Sequence, residues 1–311
     1  MEYHRRELQV HCYRMLGSLE DSEDLVQETF LRAWRKRESF EGRSSFRAWL
    51  YRIATNACLD ALERRPRVAS VQDGARPLAE VPWLQPYPDQ LLEEIPATGA
   101  EAEPEAEVFA KETIELAFIA AIQLLPPRQR AVLISRDVLG WSAAESAMLL
   151  STSVPAVNSA LQRARATLKE HLPRHRLEWG TGSDPSREER ELLQRYMDAT
   201  ERGDAAGMVE LLRADAFCAM PPEPQWWVGA EEIVEAWVEG GFGDESWGHL
   251  RCVRSAANKQ PAVACYVKRA GDTEYRPLAL DVLRIEDGVV AEITAFSLEP
   301  LLDALGLPRT L

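Results

Sequence analysis

The residues best equipped for chemistry lie between Asp24 and Asp60. Arg47, Tyr51, Arg52, Thr55, Asn56 and Asp60 share one side of a repeat. On its other side Phe46, Trp49, Leu50, Ile53, Ala54, Ala57, Cys58 and Ala61 recur at i, i+3, i+4, i+7. Cations neutralise phosphates, and aromatic and amide side chains stack on or hydrogen-bond bases lifted out of a duplex. A merely solvated helix face is more usually rich in Glu and Lys. The spacing predicts a helix with a buried stripe behind a face suited to single-stranded nucleic acid. Upstream, Val26, Phe30, Ala33 and Trp34 form an apolar stripe, while Asp24, Gln27, Glu28 and Leu31 line a different face of the same helix. The loop Glu41-Gly42-Arg43-Ser44-Ser45 joins the two patterns.

A second candidate reader follows. Ile114, Ala117, Phe118, Ala121 and Leu125 predict an amphipathic helix closed by Pro126-Pro127, and Arg128 to Arg136 predicts another. Ser142 and Glu145 have capping-box spacing. Beyond them Ala147, a turn over Leu150–Ser153, and inward Val157 and Leu161 make a helix-turn-helix pattern, with Pro155 in the first turn of its second helix. Asn158, Ser159, Gln162, Arg163 and Arg165 face outward and carry the chemistry that meets major-groove edges and phosphates.

The string from Glu23 to Trp34, followed by Trp49 to Asp60, resembles domain 2 of sigma-70-type RNA polymerase subunits, and its brevity is that of the extracytoplasmic-function group. Leu125-Pro126-Pro127-Arg128-Gln129-Arg130-Ala131-Val132-Leu133 and the closing Asn158–Arg165 string are similar to sigma domain 4. The resemblance implies that Asp24, Gln27, Glu28 and Leu31 dock on core RNA polymerase. It implies that Arg43, Ser45, Arg47, Trp49, Tyr51, Arg52, Asn56 and Asp60 open and read the promoter −10 element, and that the second module reads the −35 element. The pattern departs from the family at Ser151, where Gly is usual in the turn, and at Ser135 and Ser146, where apolar residues are expected. A buried, unpaired hydroxyl costs about 1 kcal/mol or more.

Charge divides along the chain in the same way. The net of −14 resolves into +2 over residues 1–67, −8 over 68–112, +3 over 113–178 and −11 over 179–311. Weakly basic modules suit a protein whose larger partner supplies most phosphate contacts. Seven prolines between Pro66 and Pro104 exclude a long helix from the acidic segment. Its Trp83-Leu84-Gln85-Pro86-Tyr87-Pro88-Asp89 run offers more apolar surface than a spacer needs, which predicts docking; a solvated tether is the alternative. Cys12, Cys58, Cys218, Cys252 and Cys265 are odd in number and scattered, which reads as small buried thiols and not as a disulfide or zinc framework. The start has no signal-peptide core and no apolar run reaches a membrane span, so the expected location is the cytoplasm, with no membrane partner.

Ordinary members of the resembled group end near residue 172. Here two further helices are expected, through Thr200 and Leu212, followed by strands at 216–220, 226–228, 250–256, 262–269, 278–285 and 289–296. Helices followed by a meandering antiparallel sheet predict an α+β cone. Phe217–Gly229 and Asp281…Gly288 resemble a SnoaL-like member of the NTF2-like superfamily. The expected organisation is two all-α sigma domains at 1–67 and 113–178, an acidic linker at 68–112, and a regulatory NTF2-like domain at 186–311. Trp226, Trp227, Trp237, His249, Tyr266 and Asp281 are the candidate pocket residues for a small ligand. No catalytic residue, metal site or cofactor is expected, and an anti-sigma partner is not legible. Two alternatives stand beside an alternative sigma factor. One is a plain helix-turn-helix regulator, and the other a SnoaL-like enzyme fused to a DNA-binding module, for which His249 and Asp281 would have to meet.

Overall fold

The structure, a computed structural model, describes residues 2–40, 45–65, 77–93, 114–171 and 186–311. It forms two compact units, Met1–Gln85 with Leu91–Gly180, and Pro86–Gln90 with Thr181–Leu311.

The first unit is helical. Helix α1 (Arg5–Leu16) is buried along its second half and ends at Gly17, whose φ of 72° and N–H bond to Tyr13 make a left-handed cap. Ser18 accepts the Asp21 N–H and starts α2 (Leu19–Arg35), which buries Val26, Thr29 and Ala33. Ser45 caps α3 (Phe46–Arg64) in the same manner. Among the described residues of the acidic segment, short helical turns form at α4 (Pro77–Glu80) and α5 (Asp89–Glu93). Then come α6 (Leu116–Gln123) and α7 (Pro127–Leu133), the latter widening into a π-turn at Ile134–Val138. Helix α8 (Ala143–Leu149) carries the expected capping box between Ser142 and Glu145, and α9 (Val154–His171) follows the turn. Ala147, Val157 and Leu161 are buried as expected.

Two helical modules expected to stand apart share this one unit. Helix α3 packs on α1 and α2 and also on α7 and α8. The stripe reading is corrected accordingly: Tyr51 and Thr55, expected on an open face, are buried, whereas Phe46 and Trp49 lie at the margin of the core. A helix clasped from two sides has two buried faces.

In the second unit, α10 (Arg187–Arg202) and α11 (Ala205–Leu211) lead into β1 (Leu212–Ala219) and β2 (Trp226–Val228). The helix α12 (Ala230–Glu239) was not anticipated. The chain continues as β3 (His249–Ala257), β4 (Gln260–Lys268), β5 (Arg276–Glu286), β6 (Val289–Ser297) and the short α13 (Leu302–Leu305). The strand order is β2-β1-β6-β5-β4-β3. Tight turns with positive φ at Asn258, Lys259, Asp287 and Gly288 drive the antiparallel run β3 to β6. The sheet is nonetheless mixed and not purely antiparallel, because β1 joins β6 in parallel. No turn links those two strands, so nothing local fixes their direction.

The family departures resolve differently. The Ser135 hydroxyl donates to the Val132 carbonyl at 3.0 Å, while the buried Ser146 hydroxyl has no partner. Ser151 takes φ of 50°, the conformation Gly would hold without strain. Ser151→Gly and Ser146→Ala are each expected to raise unfolding free energy by about 0.5–1 kcal/mol. Urea titration checks this; a loss of stability in both variants would contradict the local account.

Candidate nucleic-acid interface

Helix α2 presents Asp24, Gln27 and Leu31 to solvent, with Leu31 53% and Trp34 60% exposed. Glu28 is held by the Arg32 Nε at 2.7 Å, and the same guanidinium reaches Asp60 at 2.8 Å. Apolar side chains this exposed beside acidic ones suit a docking face.

At the start of α3, Phe40, Phe46 and Trp49 form an aromatic cluster with centroids 5.2–5.7 Å apart. Arg52 and Asn56 are exposed along the same helix. Ser45 is engaged as the helix cap. Arg47 donates to Glu7 Oε2 at 2.7 Å and lies over the Tyr51 ring. Arg43 lies outside the described residues. Tyr51 does not belong to an open reading face in this form. Its ring packs on His11 at 5.0 Å and on Trp141 at 5.5 Å, and its hydroxyl sits between Glu7 and Arg47. Burial holds its pKa above the usual phenol value.

In the second module Asn158, Ser159, Gln162 and Arg163 all project outward from α9. Arg165 is exposed but binds Asp137 through two bonds of 2.9 and 2.7 Å. Arg163 makes no hydrogen bond or ion pair within the described residues and is the freer cation.

What sequence reasoning missed is the clasp between the modules. Arg130 is buried and donates to the Met15 carbonyl, to Gln123 Oε1 at 2.5 Å, and to the Gln123 and Leu125 carbonyls at 2.7 and 3.1 Å. Burial lowers its pKa to about 9. Gln123 Nε2 donates to the Arg14 carbonyl at 3.2 Å. A Gln and an Arg in an apolar helical pattern were the available signal, since buried polar groups need partners.

The acidic segment docks as expected, and its described part divides between the units. In the first, Leu78, Val81 and Leu84 are buried, Gln85 N–H donates to the Gly17 carbonyl at 2.9 Å, and Arg65 covers Trp83 at 5.0 Å. In the second, Tyr87 is buried. Its N–H donates to Asn258 Oδ1 at 2.7 Å, the Asn258 N–H returns a bond to the Tyr87 carbonyl at 2.8 Å, and Asp89 accepts the Lys259 N–H at 2.7 Å.

The candidate pocket residues do not converge. Trp226 stacks on Phe217, and Tyr266 donates to the Pro308 carbonyl at 2.7 Å, both on the sheet face opposite Cys218 and Cys265. His249 is exposed at the start of β3, two strands from β5. Alternation along the strands decides this: neighbours in sequence go to opposite faces. Trp227 and Trp237 do pack against the core that holds Tyr196, Cys218 and Cys265. Asp281 accepts from the Tyr196 hydroxyl at 3.0 Å and from the Cys265 thiol at 3.7 Å. The described residues hold no His/Cys/Asp/Glu group suited to a metal, all five cysteines are buried and unbridged, and no described helix is long and apolar enough to cross a membrane.

Residues 1–68 match the family model for sigma-70 region 2, and residues 115–168 that for sigma-70 region 4. The ECF RNA polymerase sigma factor SigG of Mycobacterium tuberculosis is 45% identical over 100% of this chain and 83% of its own length. SigE of Mycolicibacterium smegmatis is 32% identical over 53% of this chain and 56% of its own. In fold, the crystal structure of the Mycobacterium tuberculosis sigma factor SigJ aligns with a TM-score of 0.60 over 98% of this chain and 97% of that one, at 22% identity. The chain belongs to the extracytoplasmic-function sigma factors of RNA polymerase, alternative subunits that direct transcription initiation. After its two sigma domains it carries an α+β domain built on a six-stranded mixed sheet.

His11 generates a pH prediction. It is buried, its Nε2 meets the Thr55 hydroxyl at 2.9 Å, and its Nδ1 has no partner. Burial, then Arg14 and Arg47, lower its pKa to about 3. The folded state therefore holds it neutral, and stability present above the ordinary pKa of 6.5 is lost as pH falls from there towards 3. The first unit is expected to lose about 2 kcal/mol between pH 7 and pH 5. His11→Gln should flatten that slope in urea titrations; an unchanged slope would remove His11 as its cause.

Proposed function

We propose that this sigma factor contacts core RNA polymerase through the Asp24, Gln27, Leu31 face of α2 and opens −10 DNA with the Trp49 cluster, Arg52 and Asn56. It reads −35 DNA with Asn158, Ser159, Gln162 and Arg163, and its place of action is the cytoplasm. The observation that carries the reading is the projection of these groups from three helices, α2, α3 and α9, within the two matched family regions. Tyr51 enters the contact set only after the clasp at Arg130 opens, because Trp141 of the second module packs on its ring, whereas Arg165 must leave Asp137 of its own module to reach DNA. The plain helix-turn-helix regulator leaves the α2 face and the α3 cluster without a role. The enzyme reading loses its support with His249 outside the interior, and the NTF2-like domain is read as regulatory.

Regulation acts through the acidic segment. Asn258 and Lys259 hold Tyr87–Asp89, while Gln85, two residues earlier, caps the carbonyl end of α1 beside Arg130. A grip on one part of the segment limits the freedom of the other, which favours the clasped sigma modules.

In permanganate footprinting with core polymerase, Asn56→Ala is expected to leave −10 thymines less reactive while polymerase binding persists. Arg163→Ala should weaken −35-dependent initiation by about 1–3 kcal/mol if it reads a base, or lower the salt slope by about one if it touches phosphate. Wild-type behaviour of both variants would sink the assigned surfaces. Asn258→Ala should raise run-off transcript yield at limiting polymerase, and unchanged yield would remove the segment from regulation.

A further inference from the structure

Two of the five cysteines face each other across the sheet of the second unit. Cys252 of β3 and Cys265 of β4 are direct partners in the antiparallel register, and their sulfurs stand 3.9 Å apart. The backbone sets how close such a pair comes. The Cys252 N–H donates to Glu201 Oε1 at 2.8 Å, away from β4, so the two residues form a non-hydrogen-bonded pair. In pairs of that kind the Cα atoms lie about 4.5 Å apart, within the roughly 4.4–6.8 Å that a disulfide spans. Side-chain rotation brings the sulfurs to bonding distance, and the strands need not separate or shift register.

Two further observations give the pair its chemistry. The first is access. Strand β3 is an edge of the sheet, and Cys252, 7% exposed, sits beside the exposed residues Arg251 and Glu201, so its sulfur lies at the margin of the core. The second is a proton acceptor. The Cys265 thiol donates to Asp281 Oδ2 at 3.7 Å. Its contact with Cys252 and its burial keep the Cys265 thiol protonated, which leaves the outer sulfur to react first. Packing alone asks only for small apolar side chains here, and it accounts for neither the matched register nor the thiol–carboxylate contact.

We propose that Cys252 and Cys265 are a redox-active dithiol whose oxidant is a small peroxide, with Cys252 reacting first, Cys265 resolving and Asp281 accepting the resolving proton. The Cys252 sulfur attacks one peroxide oxygen and the O–O bond breaks. The other oxygen leaves as water or an alcohol with the thiol proton, and Cys252 becomes a sulfenic acid. The Cys265 sulfur then attacks the Cys252 sulfur and the S–O bond breaks. The Cys265 proton passes through Asp281 to the departing hydroxide, which leaves as water. Two thiols lose two electrons in all, and the peroxide takes them. The product closes the β3–β4 hairpin, whose Asn258-Lys259 turn holds Tyr87 and Asp89, and a cross-linked hairpin opens less readily.

The inference stands apart from the transcriptional reading, since oxidation can be followed on the full chain without polymerase or DNA. The folded protein would be treated with hydrogen peroxide, alkylated in denaturant and mapped by mass spectrometry. The expected product links the Cys252 and Cys265 peptides within one chain and leaves Cys12, Cys58 and Cys218 alkylated. Its thermal midpoint should rise by about 5 °C and return on reduction with dithiothreitol. In Asp281→Asn the link should form at least about tenfold more slowly, with Cys252 sulfenic acid trapped by dimedone. Five alkylated cysteines after peroxide would overturn the proposal, as would a different pairing, or Cys252 driven to sulfinic acid while Cys265 stays reduced. An unchanged rate in a folded Asp281→Asn would overturn the proton path. The wild-type map decides the pairing even if that variant does not fold.

Discussion

Four successive carbonyls at the end of α1 organise the first unit. A helix leaves its last carbonyls without partners inside the helix, and a buried end must find donors elsewhere. Here Arg14 receives Gln123, Met15 receives Arg130, Leu16 receives Arg65 at 2.9 Å, and Gly17 receives the Gln85 N–H. Those donors come from α6, α7, the end of α3 and the acidic segment. One helix terminus thus ties together both DNA-reading modules and the chain between them. The negative end of the helix dipole suits the two guanidiniums gathered there.

This arrangement makes the clasp depend on several donors at once. Arg130 is buried with a pKa lowered by desolvation, so it is held by its carbonyl acceptors and not by an opposing carboxylate. Buried cations held in this way are stable only while every acceptor stays in place. Without the Gln85 N–H, the Gly17 carbonyl beside Arg130 would need another donor.

The second unit answers the same demand with side chains and turns. Asn258 and Lys259 adopt left-handed conformations, which turn their side chain and N–H groups toward Tyr87 and Asp89. Away from that edge, Arg284 and Glu292 satisfy each other at 2.8 Å under nearly complete burial. Asp281 is the exception, with a single phenol, a weak thiol donor and one oxygen left over.

The fold class, the two sigma modules and the Ser142–Glu145 capping box were legible in the chain itself. That box and the Val157 and Leu161 stripe act through neighbours within one or two helical turns, and local spacing is sequence information. The Asp287-Gly288 turn was legible for the same reason. The partners of Tyr51, Arg130 and Gln123 were not, because each meets a segment remote in sequence, such as Arg130 with Met15. Periodicity assigns a residue to a helix face but says nothing of how many faces are covered. It likewise could not sort Trp226 from Trp227, or Tyr266 from Cys265, until strand pairing fixed which side of the sheet faces the helices. The sequence by itself determined the modules and the chemistry they carry; tertiary structure decided which of those groups are free, because burial depends on the neighbours that distant segments supply.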